Sequence, residues 1–351
     1  MIEYVIAFLV CILCILKKNS GNKIGYYLPV IVLFILCAFR GEKIGTDTIE
    51  YLTNFSDSDR VLAGFNFFSY RGAELISNFL FYVVDIYHLP PRLILITYAL
   101  LTFIPIVLIC KKQNLDLPLF CFFFLTDGSY LQSYNIARQI ASVMVAMYAC
   151  TYIFEEKKSY LFFLFTVVAG MIHTSGFYLL PLYIFRWMHV SHKVVYVPLI
   201  IVALLTTTGI VNYYSLLSYV SIGELYSQFY GDQISNQSIS LSIIGFIVSL
   251  YSIILLLYSL KFQKKQYVAF FAFCILVKIM TLGWDASLAR ITLVFANMFI
   301  ILYAVLFEEI RRKLSHAYNA LLYIFTVILF TAKCVVYIIS NKEIYPYEFG
   351  F

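Results

Sequence analysis

The sequence predicts an all-α, polytopic integral membrane protein, and three observations carry that prediction. The 351-residue chain is 62% hydrophobic and only 13% charged, whereas soluble domains are about 45–50% apolar and about 25% charged. Its mean hydropathy is +0.87. Apolar runs recur from end to end, near 2–16, 24–39, 73–88, 92–110, 117–131, 138–154, 160–172, 175–188, 194–210, 241–260, 266–282, 291–307 and 317–339. A membrane barrel would alternate apolar and polar residues in segments of about ten, and these runs do not alternate. Several are shorter than the roughly 20 residues a straight span needs, so some cross with snorkelling flanks and some do not cross. The expectation is about twelve transmembrane helices in one domain over 1–351, with outward loops near 40–72 and 211–240.

Charge supplies the topology. The net charge of +6 is scattered in short clusters between apolar runs, which is an orientation signal and not a nucleic-acid footprint. Lys17, Lys18 and Lys23 put the end of the first run in the cytoplasm. No basic stretch precedes that run and no small-residue cleavage pattern follows it, so it reads as an uncleaved helix. Lys157-Lys158, Arg186 with Lys193, Lys261 with Lys264 and Lys265, and Arg311-Arg312-Lys313 mark further cytoplasmic loops. From Lys157 onward the runs alternate. The outer face then receives the region near His173, the 211–240 loop, the Trp284-Asp285 turn and the C-terminal tail. The front half does not alternate cleanly. With the 40–72 loop outside and Asn135–Gln139 outside, three runs lie between them, one too many or too few. Lys111-Lys112 favours the cytoplasm, which points to a non-spanning segment before it. The run 117–131, broken by Asp127 and Gly128, is a second candidate, as a re-entrant segment.

Four polar stretches interrupt this background, and charge near hydrocarbon persists only where something compensates for it. The first is Arg40–Tyr51, with five charges in twelve residues. Gly41 and Gly45 permit turns that other residues resist, and Thr46-Asp47-Thr48 can cap a following helix carrying Glu50 and Tyr51. Arg40 is either a snorkelling anchor or an anion ligand. Asp47 is either a cap or a general base or sugar-hydroxyl ligand. In the second stretch Asn135, Arg138, Gln139 and Ser142 fall at i, i+3, i+4 and i+7, one face of a continuous helix. Arg138 there is an anion ligand or an interfacial anchor. The third stretch is Gly170–Gly176, where His173 neighbours Thr174 and Ser175. It suits proton transfer or diphosphate contact, or is a packing histidine. The fourth runs from Lys278 through Asp285 to Arg290. It is a ligand set or an internal ion pair.

Other features are less specific. The eight cysteines lie in or beside apolar runs. Cys11 and Cys14 have no further Cys or His to complete a zinc set, so they read as packing residues and no metal is expected. Among 30 tyrosines, Tyr213, Tyr214, Tyr219, Tyr226 and Tyr230 crowd the 211–240 loop, where they suit sugar rings or lipid headgroups equally. There is no phosphate-binding Gly-rich loop, HExxH or GxSxG motif, so no nucleotide cofactor is implied and any substrate must arrive activated.

Taken in order, Arg40-Gly41, Gly45-Thr46-Asp47 with Tyr51, Arg138-Gln139, His173 with Ser175, and Arg290 after Asp285 resemble the motifs of EpsG-like, Wzy-type polysaccharide polymerases. The resemblance covers essentially the whole chain. Thr48 departs from it, standing near where the family often has Tyr. The resemblance implies a multi-pass protein of the bacterial cytoplasmic (inner) membrane, GT-C-like in architecture. Such a protein joins undecaprenyl-diphosphate-linked oligosaccharide repeat units into O-antigen, capsule or exopolysaccharide at the periplasmic face. It implies lipid-linked donor and acceptor as partners, besides membrane lipids and a chain-length regulator, and no cofactor. In that reading Arg40, Arg138 and Arg290 hold the diphosphate, Asp47 or His173 is the base, and Asn135, Gln139, Tyr51 and Asp285 contact glycan. A polysaccharide or lipid-linked oligosaccharide flippase and a membrane O-acyltransferase are the alternatives from other classes.

Overall fold

The structure, a computed structural model, describes residues 2–16, 23–53, 74–187, 243–259, 265–280, 286–313, 316–340, 347 and 349–350. Asp285, the 211–240 loop and residues 54–72 lie outside the described residues. The described part is helical, with a single isolated bridge between Arg40 and Phe349. The chain divides into two compact units, Met1–Tyr183 with Ile300–Phe351, and Ile184–Phe299.

The first unit contains α1 (Ile2–Leu16), α2 (Lys23–Ala38), α3 (Thr48–Thr53), α4 (Leu75–Ile86), α5 (Arg92–Gln113), α6 (Leu117–Thr126), α7 (Ser129–Asn135), α8 (Ala137–Cys150) and α9 (Tyr160–Ile172). A 3-10 helix, Thr174–Arg186, follows, and later in the chain come α12 (Ala286–Lys313) and α13 (His316–Ser340). Two stretches are long and apolar enough to cross a membrane unaided among the described residues, Arg92–Gln113 and Ala320–Ile339. The centre of the unit is α6, all ten of whose residues are buried. Its Phe123 ring packs 5.3 Å from Tyr303 and 5.1 Å from Phe330, so an aromatic-rich run with no polar face is enclosed by other helices, as its composition demands.

Directions follow from side-chain contacts. Tyr26, near the start of α2, donates to Leu115 O at 3.3 Å, and Tyr130 of α7 donates to Leu33 O at 3.0 Å. Thus α6 and α7 together run alongside α2 and in the same direction, traversing the bundle as one broken helix. The break at Asp127-Gly128 is not a re-entrant turn. Gly128 takes φ +97, and the Asp127 carboxylate is paired with Lys333 of α13. A carboxylate at mid-bundle is thereby neutralised where a lone one would be costly.

The other mismatch resolves at α4. Its first-turn neighbour Glu74 touches Arg138 and Thr174. Its middle residue Phe81 stacks on Tyr51 with ring centroids 6.4 Å apart. The next helix begins with Arg92, which donates to Arg40 O. Both ends of this twelve-residue helix, about 18 Å long, therefore lie at one end of the bundle, and α4 does not cross it. With α4 removed from the tally, Lys23, Lys111, Lys112 and the 151–159 loop gather at the opposite end.

The second unit holds α10 (Ile243–Ser259), α11 (Lys265–Met280) and the start of α12. It packs through aromatic contacts such as Phe273–Phe295 at 5.8 Å.

Candidate functional site

At the end of the first unit where α4 begins and ends, five elements bring charged and polar side chains together. The loop 40–48 is seated first. Gly45 has φ +83, and a Cβ there would stand 2.1 Å from Tyr134 O, so only glycine lets the loop lie on the α7–α8 junction. In that seat the Thr46 N–H donates to Asn135 Oδ1 at 3.2 Å. Asp47 is half-buried behind it, accepts from Thr46 Oγ1 at 3.1 Å, and lies within electrostatic reach of Arg138.

Arg40 is fully buried. Its Nε donates to Thr48 Oγ1 at 2.8 Å and its Nη1 to Cys37 O at 2.7 Å. Nη2 reaches Tyr134 O at 3.5 Å, and the guanidinium carbon lies 5.4 Å from the Tyr134 ring centroid. Thr48 passes the chain on by donating to Ile44 O at 2.5 Å. The C-terminal tail closes over this loop. Gly350 N–H donates to Phe39 O at 3.0 Å and the Tyr347 hydroxyl to Leu36 O at 2.6 Å. Arg40 thus holds together the end of α2, the loop and α7 through its own hydrogen bonds.

Arg138 is different. The helix breaks at Ile136 (φ −132, ψ 51), so Asn135 ends α7 and Arg138 lies in the first turn of α8. The single face expected for Asn135, Arg138, Gln139 and Ser142 therefore does not form. Asn135 turns to the loop. Gln139 is buried. Ser142 donates to Ala169 O at 2.8 Å and His173 O at 3.2 Å, tying α8 to α9. No side chain caps α8 from Ile136. The Tyr51 hydroxyl instead lies beside the Arg138 backbone N–H, one of the amides a helix start leaves without an intrahelical partner. Burial pushes the Tyr51 hydroxyl up, which the Arg138 charge opposes. Tyr51 is buried against Phe81 and Tyr98, so it acts as a wall and a cap.

The Arg138 Nη1 pairs with Glu74 Oε2 at 3.0 Å, the Glu74 side chain being 5% exposed and that of Arg138 25%. The Arg138 Nε is buried without a hydrogen-bond partner among the described residues. Glu74 Oε1 accepts the Thr174 N–H at 3.2 Å and faces His173 Nε2 at 3.7 Å. The other His173 nitrogen, Nδ1, lies 2.8 Å from Ser175 Oγ and accepts the Ser175 N–H at 3.2 Å. An accepting Nδ1 puts the neutral ring's proton on Nε2, toward Glu74. His173 sits in extended backbone at the end of α9. Gly176 is required just beyond it, since a Cβ would lie 2.5 Å from the Ala169 carbonyl carbon.

The structure therefore brings Asp47, Tyr51, Asn135, Arg138, Gln139 and His173 to one end of the first unit. Arg290 lies in α12 within the second unit, and its side chain is outside the described part. Glu74 lies outside the four polar stretches of the sequence. Its signal was a lone carboxylate heading an apolar run, the kind of residue that has to have a partner. Arg92, at the start of α5, carried no signal beyond its charge. Among the described residues no cluster of His, Cys, Asp and Glu is placed to hold a metal ion. The chemistry available is anion binding at a guanidinium with an unpaired N–H, beside a half-buried carboxylate.

Compared with known families, residues 23–349 match the EpsG family, a Wzy-type polymerase-like family. No curated protein and no solved structure matches the chain.

Proposed function

With the chain belonging to the EpsG family, we propose that it polymerises lipid-diphosphate-linked oligosaccharide repeat units into surface polysaccharide at the outer face of the bacterial cytoplasmic membrane. The observation that carries this is Arg138, whose guanidinium is held by one nitrogen and has an unpaired N–H at another. A phosphate oxygen supplies the missing acceptor, and guanidinium–phosphate contacts are strong and directional. The gathering of Lys23, Lys111, Lys112 and the 151–159 loop at the far end supports an outward-facing site. The same reading takes the chain across the membrane about twelve times, in a GT-C-like arrangement.

In the reaction, an acceptor sugar hydroxyl attacks the anomeric carbon of the donor. The bond from that carbon to the diphosphate oxygen breaks, and the lipid diphosphate leaves with the electron pair. Arg138 stabilises the charge that develops on it. Asp47 takes the hydroxyl proton. His173 has both ring nitrogens turned to protein groups, so it shapes the site and Asp47 is the base. Asn135, Gln139 and Tyr51 build the wall on which the glycan rests, and Arg290 is a further diphosphate ligand to be tested in the same assay.

The test is a deletion strain complemented with Arg138→Lys, which keeps the charge and loses the fork. Long-chain surface polysaccharide should disappear at normal protein level, leaving single repeat units. Normal chain length would refute the donor-site role. Absence even of single units in the deletion strain would indicate a flippase, and full-length chains with altered decoration an acyltransferase.

A further inference from the structure

We propose that Glu74 is the positioning residue of this site: it selects which edge of the Arg138 guanidinium meets a lipid diphosphate. This rests on the reading of Arg138 as the diphosphate ligand, and it adds a carboxylate that neither the motifs nor the family match assigns a role.

The geometry is specific. Glu74 precedes α4, the helix that stays at the site end of the bundle, and its side chain is 5% exposed. Its two oxygens face different partners. Oε2 forms an ion pair with Arg138 Nη1 at 3.0 Å, close in distance but without hydrogen-bond alignment. Oε1 accepts the Thr174 N–H at 3.2 Å and faces His173 Nε2 at 3.7 Å. The carboxylate thereby joins the start of α8 to the turn between α9 and the 3-10 helix. A guanidinium can offer a phosphate either its two terminal nitrogens or the edge formed by Nε and Nη2. With the Glu74 charge beside Nη1, the edge turned away from it is that second one, and Nε is the nitrogen buried without a hydrogen-bond partner among the described residues. A buried N–H left unpaired is unfavourable, so the arrangement is poised for an acceptor at that edge.

Glu74 is also an anion beside an anion site. Its charge repels a bound diphosphate while its geometry orients the group that binds it. These effects have opposite signs, which a merely structural role would not produce. Replacing the carboxylate by an isosteric amide removes the repulsion, keeps an acceptor for Thr174 and loosens Arg138. Ground-state binding should tighten and turnover should fall.

The experiment uses the purified full-length protein in detergent, with farnesyl diphosphate as the binding probe and a lipid-diphosphate repeat unit as substrate. Glu74→Gln should lower the Kd for farnesyl diphosphate by about tenfold and lower the elongation kcat by about 10- to 100-fold. Glu74→Asp keeps the charge and shortens the arm, so it should leave Kd unchanged and lower kcat, and it serves if the amide variant folds poorly. The exchanged pair Glu74→Arg with Arg138→Glu restores the ion pair and should restore folding without restoring diphosphate binding. A Glu74→Gln protein with unchanged or weaker binding would overturn the proposal, as would elongation by the exchanged pair or a wild type that does not bind the probe. A wild type that binds farnesyl diphosphate without elongating glycan would instead sink the polymerase reading, with the Glu74→Gln affinity still deciding the positioning role.

Discussion

The loop from Arg40 to Thr48 and the helix start at Arg138 each bring a guanidinium to the same end of the bundle, and the two are used in opposite ways. Arg40 is fully enclosed, and Thr48, Cys37 and Tyr134 take up its nitrogens. Arg138 is partly exposed, is tied to Glu74 through Nη1, and carries an unpaired Nε. A buried charge with its hydrogen bonds made specifies how elements join. A partly exposed charge with one hydrogen bond unmade leaves an N–H for the proposed anion. The difference teaches that charge at a membrane face is uninformative until its hydrogen bonds are counted.

The comparison breaks first at Arg138. If Arg138 stabilises a leaving diphosphate as proposed, Arg138→Gln should lower elongation by about 100- to 1,000-fold. Arg138→Gln also strands the buried Glu74 carboxylate, so the melting temperature should fall by the equivalent of about 3 kcal/mol, and elongation is compared per folded protein. Wild-type elongation of a lipid-diphosphate repeat unit would end the contrast.

Arg40→Gln tests the other side. The amide cannot reach Thr48, Cys37 O and Tyr134 O at once, so the end of α2, the loop and α7 lose their common anchor. The expected cost is about 3 kcal/mol, read as a lowered melting temperature in detergent and a reduced folded yield. The folded fraction should bind farnesyl diphosphate with wild-type affinity. Lost affinity at unchanged stability would make Arg40 a ligand after all.

Gly45→Ala sharpens the same side with a smaller change. The added methyl would meet Tyr134 O at 2.1 Å, a backbone atom that cannot swing aside, at φ +83. Strain of about 1–3 kcal/mol is expected, relieved by lifting the loop and breaking the Thr46–Asn135 bond. Asp47 moves with the loop and Arg138 does not. Elongation should therefore fall while diphosphate affinity holds, and parallel loss of both would mean that the loop supports Arg138 directly.

Physical range explains what the sequence could disclose. The His173–Ser175 contact spans two residues and is visible as a motif. Helical character and the long apolar spans follow from local composition. Glu74 meets Arg138 and Thr174 only through tertiary packing, so nothing near Glu74 in the chain announces it. The break at Ile136 was hidden because Asn135, Arg138, Gln139 and Ser142 fit helical spacing equally well with or without it. The non-crossing α4 was signalled by charge parity but could not be placed, since an apolar helix of twelve residues has the same composition whether it crosses or lies across. Arg40 defeats composition in the same way, because snorkelling, ligand binding and internal bonding all call for an arginine at the end of an apolar run.

The smallest expected effect lies at the opposite end of the unit, where Lys112 and Glu155 pair at 2.6 Å. The pair superficially repeats Arg138–Glu74, a basic residue on one helix clasping a glutamate from another segment. Its surroundings differ. The Glu155 side chain is 40% exposed, and the Lys112 ammonium also lies over the Tyr152 ring, 2.9 Å from its centroid. Removing the carboxylate in Glu155→Gln leaves the ammonium an aromatic face and water, so little is stranded. Solvent screening limits the loss to under about 1 kcal/mol, and polymer length should be unchanged. Raising the salt concentration should narrow even that difference, as it does for exposed pairs. If Glu155→Gln shortened the polysaccharide as severely as Arg138→Gln, burial and missing hydrogen bonds would not be what distinguishes the two ends. The far end would then have to take part in the reaction through coupling along α5 and α8, the helices that run between them.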